Sequence, residues 1–295
     1  MSSFEANLRG IGYLLLSILA FILNDTMIKV VSERLPIGEI IVLRGAVALV
    51  LILALLFATG GHRAWRLAGN RLVAWRTIGE VGGTILYLYA LFHMPIANAS
   101  AISQIVPLMT TAAAAVFLRE QVGWRRWMAI GLGFVGVMII MRPGLGGFDV
   151  YAFAALASMA FVTLRDLVTR SFPPGMPTLL VTAVTAGAVL VAGLAMSFDE
   201  VWLMPTLDEM LLLGGAAFLL LIGYGTVILA MRHGEMGVIA PFRYAVILFA
   251  IALGYLVWGD IPDIYTITGT VIVVATGLYT IHRERLRAEE SRTRR

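Results

Sequence analysis

The sequence predicts an all-α integral membrane protein: ten transmembrane helices forming two inverted five-helix repeats, with both termini in the cytoplasm. Three observations predict it. Hydrophobic residues make up 60% of the 295-residue chain and charged residues only 14%, with a mean hydropathy of +0.90, whereas soluble domains carry about a quarter charged residues. The apolar residues gather in continuous runs near the ~20 residues a helix needs to cross a bilayer, without the two-residue alternation of a β-barrel. The chain also repeats faintly at an offset of about 140 residues: Ala20-Phe21 lies over Ala160-Phe161, Ala90 over Ala230, His93 over His233, Leu108 over Leu248 and Glu120 over Asp260. An odd number of spans per half turns the second half upside down relative to the first.

The elements follow in order. The first run, 10–30, has the charge and apolar core of a signal peptide, but it continues through Asn24-Asp25 to Lys29 without a small-residue cleavage site. It therefore reads as a retained helix. Pro36 opens a second run, 37–58, which stops at Gly60-Gly61. The third run is 73–93; Pro95 opens the fourth, 97–118, and the fifth is 125–141. Arg142-Pro143-Gly144 supplies the turn between halves. Runs at 149–170, 178–197, 208–231, 236–257 and 264–282 complete the set, punctuated by Pro173-Pro174 and Pro262. The predicted domains are a first repeat over 1–143, a second over 144–283 and a charged cytoplasmic tail over 284–295. That tail reads as solvated or in contact with anionic lipid.

Arginine placement gives the orientation. With the N-terminus inside, the cytoplasmic side receives Arg9, Arg63, Arg66, Arg71, Arg76, Arg119, Arg125, Arg126, Arg170, Arg232 and the tail arginines. The outer loops receive only Arg34 and Arg142, and otherwise hold Asp199, Glu200, Asp208, Asp260 and Asp263. This is the pattern of a multi-pass protein of the bacterial inner membrane. Because the arginines sit at helix ends, the basic balance does not point to nucleic acid. Cysteine is absent, which excludes disulfides and thiolate metal sites. The histidines His62, His93, His233 and His282 fall at loop or terminal positions, so no metal, cofactor or histidine-based catalytic centre is expected. No phosphate-binding glycine loop occurs. The expected driving force is the substrate gradient, an ion or a proton, with Glu80 and Asp25 as candidate proton carriers.

Charges inside a bilayer are costly, and each is a candidate functional group. Two layers emerge. Towards the outer side lie Asp25, Lys29, Glu39 and Arg44; towards the inner side lie Glu80, Arg165, Asp166 and Arg243. Asp25 and Lys29 share a helix face and can pair. The plain alternative is that these charges only pin helices together. Read functionally, Asp25, Lys29, Arg44, Arg165 and Asp166 act as gating charges. Glu80 and Arg243 then meet the amino and carboxylate groups of a zwitterion, or close an inner gate. Polar residues suggest a cavity around them: Glu80, Gly83, Thr84, Tyr87 and Leu91 on one face, with Ser100, Ser103, Gln104 and Pro107 on the fourth span. The ninth adds Arg243-Tyr244 after Pro241, and the eighth Gly223, Tyr224 and Thr226. Helix packing alone explains many of these small and hydroxyl residues. Gly79 with Gly83, and Gly131, Gly133 and Gly136, have the spacing of close helix contacts.

These features together resemble the drug/metabolite transporter superfamily, and most closely its EamA-type branch. The carrying residues are the first apolar run ending in Lys29, Pro36, Arg44, the stretch Pro95-Ile96-Ala97-Asn98-Ala99-Ser100-Ala101 leading to Pro107, and Leu118-Arg119-Glu120. The resemblance covers residues 8–283 and is greatest to exporters of aromatic and neutral amino acids. It implies alternating access around a central cavity, with the fifth and tenth helices set apart. Two departures stand out. The first helix has no glutamate after Glu5, which argues against proton-coupled drug export, and Val184 stands where a repeat of Arg44 would fall. The expected function is secondary export of amino acids and related small metabolites. A competing reading is export of drugs or lipophilic cations. An intramembrane enzyme acting on lipid head groups is disfavoured, because the carboxylates and histidines are scattered. Expected partners are a small-molecule substrate and membrane lipid, with a monomer or weak homodimer as the assembly.

Overall fold

Helix follows helix, and no strand occurs among the described residues. The computed structural model describes residues 3–120, 122–142, 150–173 and 175–293. Pro143, Gly144 and Pro174, read as turn residues, and Arg294 and Arg295 of the tail lie outside the described residues. The helices are α1 (Ser3–Val31), α2 (Ile37–Ala58), α3 (Arg71–His93), α4 (Ile96–Ser103), α5 (Val106–Phe117) and α6 (Trp124–Met141). After them come α7 (Val150–Arg170), α8 (Thr178–Met196), α9 (Leu207–His233), α10 (Met236–Ile239), α11 (Ala245–Trp258) and α12 (Ile264–Thr293). Short 3-10 segments cover Gly61–Gly69, Ser197–Asp199 and Ala240–Tyr244.

Local chemistry sets the boundaries. Pro36, Pro95 and Pro177 immediately precede α2, α4 and α8, where a missing N–H costs nothing. Thr206 and Glu209 form a reciprocal capping box at the start of α9: the Thr206 N–H donates to Glu209 Oε2 at 2.7 Å, and the Glu209 N–H donates to Thr206 Oγ1 at 3.3 Å. Asp263 caps α12 by accepting from the Thr266 N–H at 2.8 Å. Gly259 closes α11 with φ +72°, a left-handed turn that glycine adopts without strain.

Nine helical stretches among the described residues are long and apolar enough to cross a membrane. The predicted third span exists as α3, 23 residues long, but Arg71, Arg76, Glu80 and His93 dilute its apolar content and it is not among the nine. Two predicted continuous spans are interrupted. The fourth splits into α4 and α5 around Gln104-Ile105, and the ninth passes through α10 and the Ala240–Tyr244 segment before α11. Pro107 and Pro241 explain both breaks, since each removes a ladder N–H and the turn tightens to 3-10 geometry. The two interruptions fall about 140 residues apart. At the other end, α12 runs past the predicted tail boundary to Thr293.

The chain divides into two compact units. The first comprises Met1–Ile22, Met94–Phe153 and Ile222–Arg295. Its main seam joins α6 to α12, where small residues bring backbones together. A Cβ on Gly136 would stand 2.9 Å from the Gly269 carbonyl oxygen and 3.0 Å from Val273 Cγ2, and one on Gly133 would stand 3.2 Å from Thr276 Oγ1. Gly10 likewise lies against Gly234, and Ser17 Oγ donates to the Gly223 carbonyl at 2.8 Å.

The second unit comprises Leu23–His93 and Ala154–Leu221. Here α2 packs on α8, with Gly193 against Ile41 and a core of Ile52, Leu56, Leu180 and Ala183. On α3, Gly79 meets the Phe161 carbonyl and Arg165, while Gly83 meets Val162. The predicted Gly79/Gly83 pair is therefore a close-contact face, as are Gly133 and Gly136. Gly131 is not, with nothing within 4 Å of its Cβ position.

Candidate substrate site

Two polar clusters lie within the second unit. The first centres on Asp25. Tyr87 on α3 donates its hydroxyl to Asp25 Oδ2 at 2.8 Å, and Asn24 Nδ2 donates to Asp25 Oδ1 at 2.9 Å. Arg44 on α2 donates from Nη1 to Asn24 Oδ1 at 3.2 Å. Asn24 and Arg44 are both buried, so the chain Arg44–Asn24–Asp25–Tyr87 is a connected network in which each group satisfies the next. One turn further along α1, buried Lys29 donates to the Leu91 carbonyl at 2.6 Å. A charge-assisted bond to a backbone oxygen fixes this ammonium on α3.

The second cluster centres on Glu80. Arg76 stands 3.5 Å from Glu80 Oε2, one turn back on the same helix, and Arg165 on α7 stands 3.6 Å from Glu80 Oε1. Arg165 also holds its neighbour Asp166, Nη2 to Oδ1, at 2.8 Å. Arg76 donates to Thr185 Oγ1 on α8 at 3.2 Å. The Glu80 pairs are longer than the ~2.7–2.9 Å of a tight charge-assisted bond. Its carboxylate is thus held near two guanidinium groups at ion-pair distance, at a side-chain exposure of 15%. Thr84 is half-buried one turn beyond Glu80.

Fully buried Glu39 accepts from the Leu203 N–H through Oε2 at 3.0 Å. Glu200 accepts from the Gly38 N–H at 3.1 Å. Outside the spans, Arg34 pairs with Glu209, which raises the guanidinium pKa above its ordinary value. These contacts read as fastening of helix ends.

The remaining predicted residues belong to the first unit. Gln104 is buried at the α4–α5 break and donates to Ser103 Oγ at 3.1 Å, while Ser103 donates to the Ser100 carbonyl at 2.7 Å. Tyr224 meets Phe21 edge-on at 5.3 Å between ring centroids. Tyr244 is buried, and its hydroxyl lies against the backbone of Gly277. Arg243 is exposed. The structure therefore joins Asp25 with Tyr87, and Glu80 with Arg165 and Asp166, each within one unit. Sequence reasoning missed Asn24, Arg76 and Thr185 as members of these networks. For Arg76 the signal existed: it stands four residues before Glu80.

Residues 8–142 match the model of the EamA-like transporter family. The S-adenosylmethionine uptake transporter of Rickettsia bellii is 28% identical over 94% of both chains. The pseudopaline exporter of Pseudomonas aeruginosa is 26% identical over 90% of this chain and 93% of its own length. The riboflavin transporter of Vibrio cholerae is 26% identical over 97% of both chains. A solved crystal structure, 18% identical, shares the fold with a TM-score of 0.63 over 93% of this chain and 98% of its own. The first half of the chain is thus similar to the EamA-like transporter family, and the full-length relatives are small-molecule transporters rather than enzymes.

Proposed function

We propose that the chain is a secondary transporter that exports amino acids and related small metabolites across the bacterial inner membrane by alternating access. The Glu80 cluster carries this reading. A carboxylate with guanidinium groups at 3.5 and 3.6 Å offers counterparts to both charges of a zwitterion inside one unit. Substrate ammonium takes the Glu80 carboxylate, and substrate carboxylate takes Arg76 or Arg165. Charged groups within spans line substrate paths as a rule, and a low-dielectric surrounding strengthens each contact. Similarity to a transporter of S-adenosylmethionine, a molecule with a free α-amino acid end, supports the substrate class. The pseudopaline relative is an exporter, the direction proposed here, whereas the S-adenosylmethionine relative is an uptake transporter. The Asp25 network is the second charged station, and Asp25 and Glu80 are the proposed proton carriers.

In this proposal α3 is the tenth span, both termini are cytoplasmic, and the halves 1–143 and 144–283 are inverted repeats followed by a charged tail. Contacts in the α6–α12 seam support the repeat. Gly133 faces Thr276 and Gly136 faces Val273, so two residues of one helix meet each other's counterparts about 140 positions on. Such reciprocity is what a two-fold axis produces. The test is counterflow in proteoliposomes with radiolabelled amino acids, S-adenosylmethionine, riboflavin and a lipophilic cation. Exchange of amino acids that Glu80→Gln abolishes agrees with the proposal. Exchange of the lipophilic cation alone would overturn it.

A further inference from the structure

At one end of the first unit, the α6–α12 seam opens into a basic cavity of about 190 Å³, lined by Gly123, Trp124, Arg125, Arg126 and Arg283. Four features bear on what fits it. Three arginines from two helices line one small space, and arginine is the residue suited to forked contacts with a phosphate. The N-terminus of α6 opens here, and Gly123 at its cap has no side chain with which to close it. The helix dipole favours an anion at this point. Trp124 is 67% exposed, with Arg125 stacked 5.5 Å from its ring centroid, as an aromatic residue at a membrane–water boundary stands. Finally, Trp124, Met128, Leu132 and Val135 are all more than half exposed and follow one another at three-to-four-residue spacing. They form a continuous apolar stripe leading away from the arginines.

We propose that this cavity binds the phosphodiester head group of an anionic phospholipid, whose acyl chains lie along the Trp124–Val135 stripe. The shared chemistry is a phosphate anion. The stripe selects the lipid over free phosphate, because inorganic phosphate has no use for an apolar track. This site is separate from the Glu80 cluster, which belongs to the other unit, and the proposal stands whatever the transported substrate.

Native mass spectrometry of the purified full-length protein tests it, with phosphatidylglycerol and phosphatidylcholine added at equal concentration. Phosphatidylglycerol adducts should survive detergent removal and exceed phosphatidylcholine adducts about tenfold. The double variant R126Q/R283Q should lose that preference. R63Q/R66Q, which removes equal charge from the Gly61–Gly69 segment, should keep it. If R126Q/R283Q does not fold, the single variant R125Q, altering an exposed side chain, should still lower phosphatidylglycerol retention about threefold. Inorganic phosphate at millimolar concentration should not displace the lipid. Equal retention of both lipids overturns the proposal, as does a preference unaffected by R126Q/R283Q and R125Q. Displacement by phosphate would make the cavity a soluble-anion site instead.

Discussion

Gly269→Ala drives a methyl group into the seam between α6 and α12, and the size of the effect follows from the distances. The added Cβ would overlap the Gly136 carbonyl oxygen and stand 2.5 Å from Ile140 Cγ1, where ordinary contacts begin at 3.4 Å. The helices must therefore part by almost an ångström, and a seam of interlocked small residues has no flexible side chain to yield at a carbonyl. Overpacking of this kind costs about 1–3 kcal/mol. Gly131→Ala is the control, since nothing lies within 4 Å of its Cβ position. There the helix gains about 0.5–1 kcal/mol from the lost glycine entropy. The two variants should thus differ by about 1.5–4 kcal/mol in unfolding free energy. Denaturing-detergent titration in mixed micelles, followed by tryptophan fluorescence, measures the difference. Equal midpoints for the two would refute the seam as a backbone-to-backbone contact.

Other expectations concern the polar networks. Tyr87→Phe removes a donor from Asp25 Oδ2 and should destabilise the protein by about 1–3 kcal/mol on the same titration; an unchanged midpoint would show the bond to be idle. Glu80→Gln removes the charge facing Arg76 and Arg165 and should lower amino-acid counterflow about tenfold or more at normal expression, whereas Arg34→Gln, at an exposed pair, should leave flux unchanged. Gly277→Ala should lower thermal stability, because its methyl would collide with the Tyr244 hydroxyl. Tyr244→Phe should restore part of that loss in the double variant, and strict additivity would argue against the contact.

Much of the fold was legible because lipid imposes simple rules. Run lengths, proline positions and glycine spacing located the helices and two of the close-packed faces. Continuity was harder to read: Pro107 and Pro241 were visible, but apolar runs around them masked the breaks. The predicted α3 span met the opposite difficulty, since the charges that make it interesting also lower its hydropathy. In the site, Arg76 with Glu80 follows from helical spacing. Asp25 with Tyr87 and Lys29 with Leu91 join residues 62 apart in sequence, and the latter ends on a backbone oxygen that every residue possesses. No local pattern encodes such partners.

The seam between α6 and α12 has one more implication, for ancestry. Where one helix has Gly133 the position 140 residues on has Val273, and where it has Gly136 the counterpart is Thr276. Val273 fills the Gly136 hollow beside the Gly269 carbonyl, and Thr276 shares the Gly133 hollow with Leu108 of α5. If the halves descend from a duplicated segment, they have since specialised into socket and plug. Glycine in place of Val273 or Thr276 would remove the bulk that now fills these two hollows. At these positions α6 and α12 are complements, and neither sequence serves in place of the other.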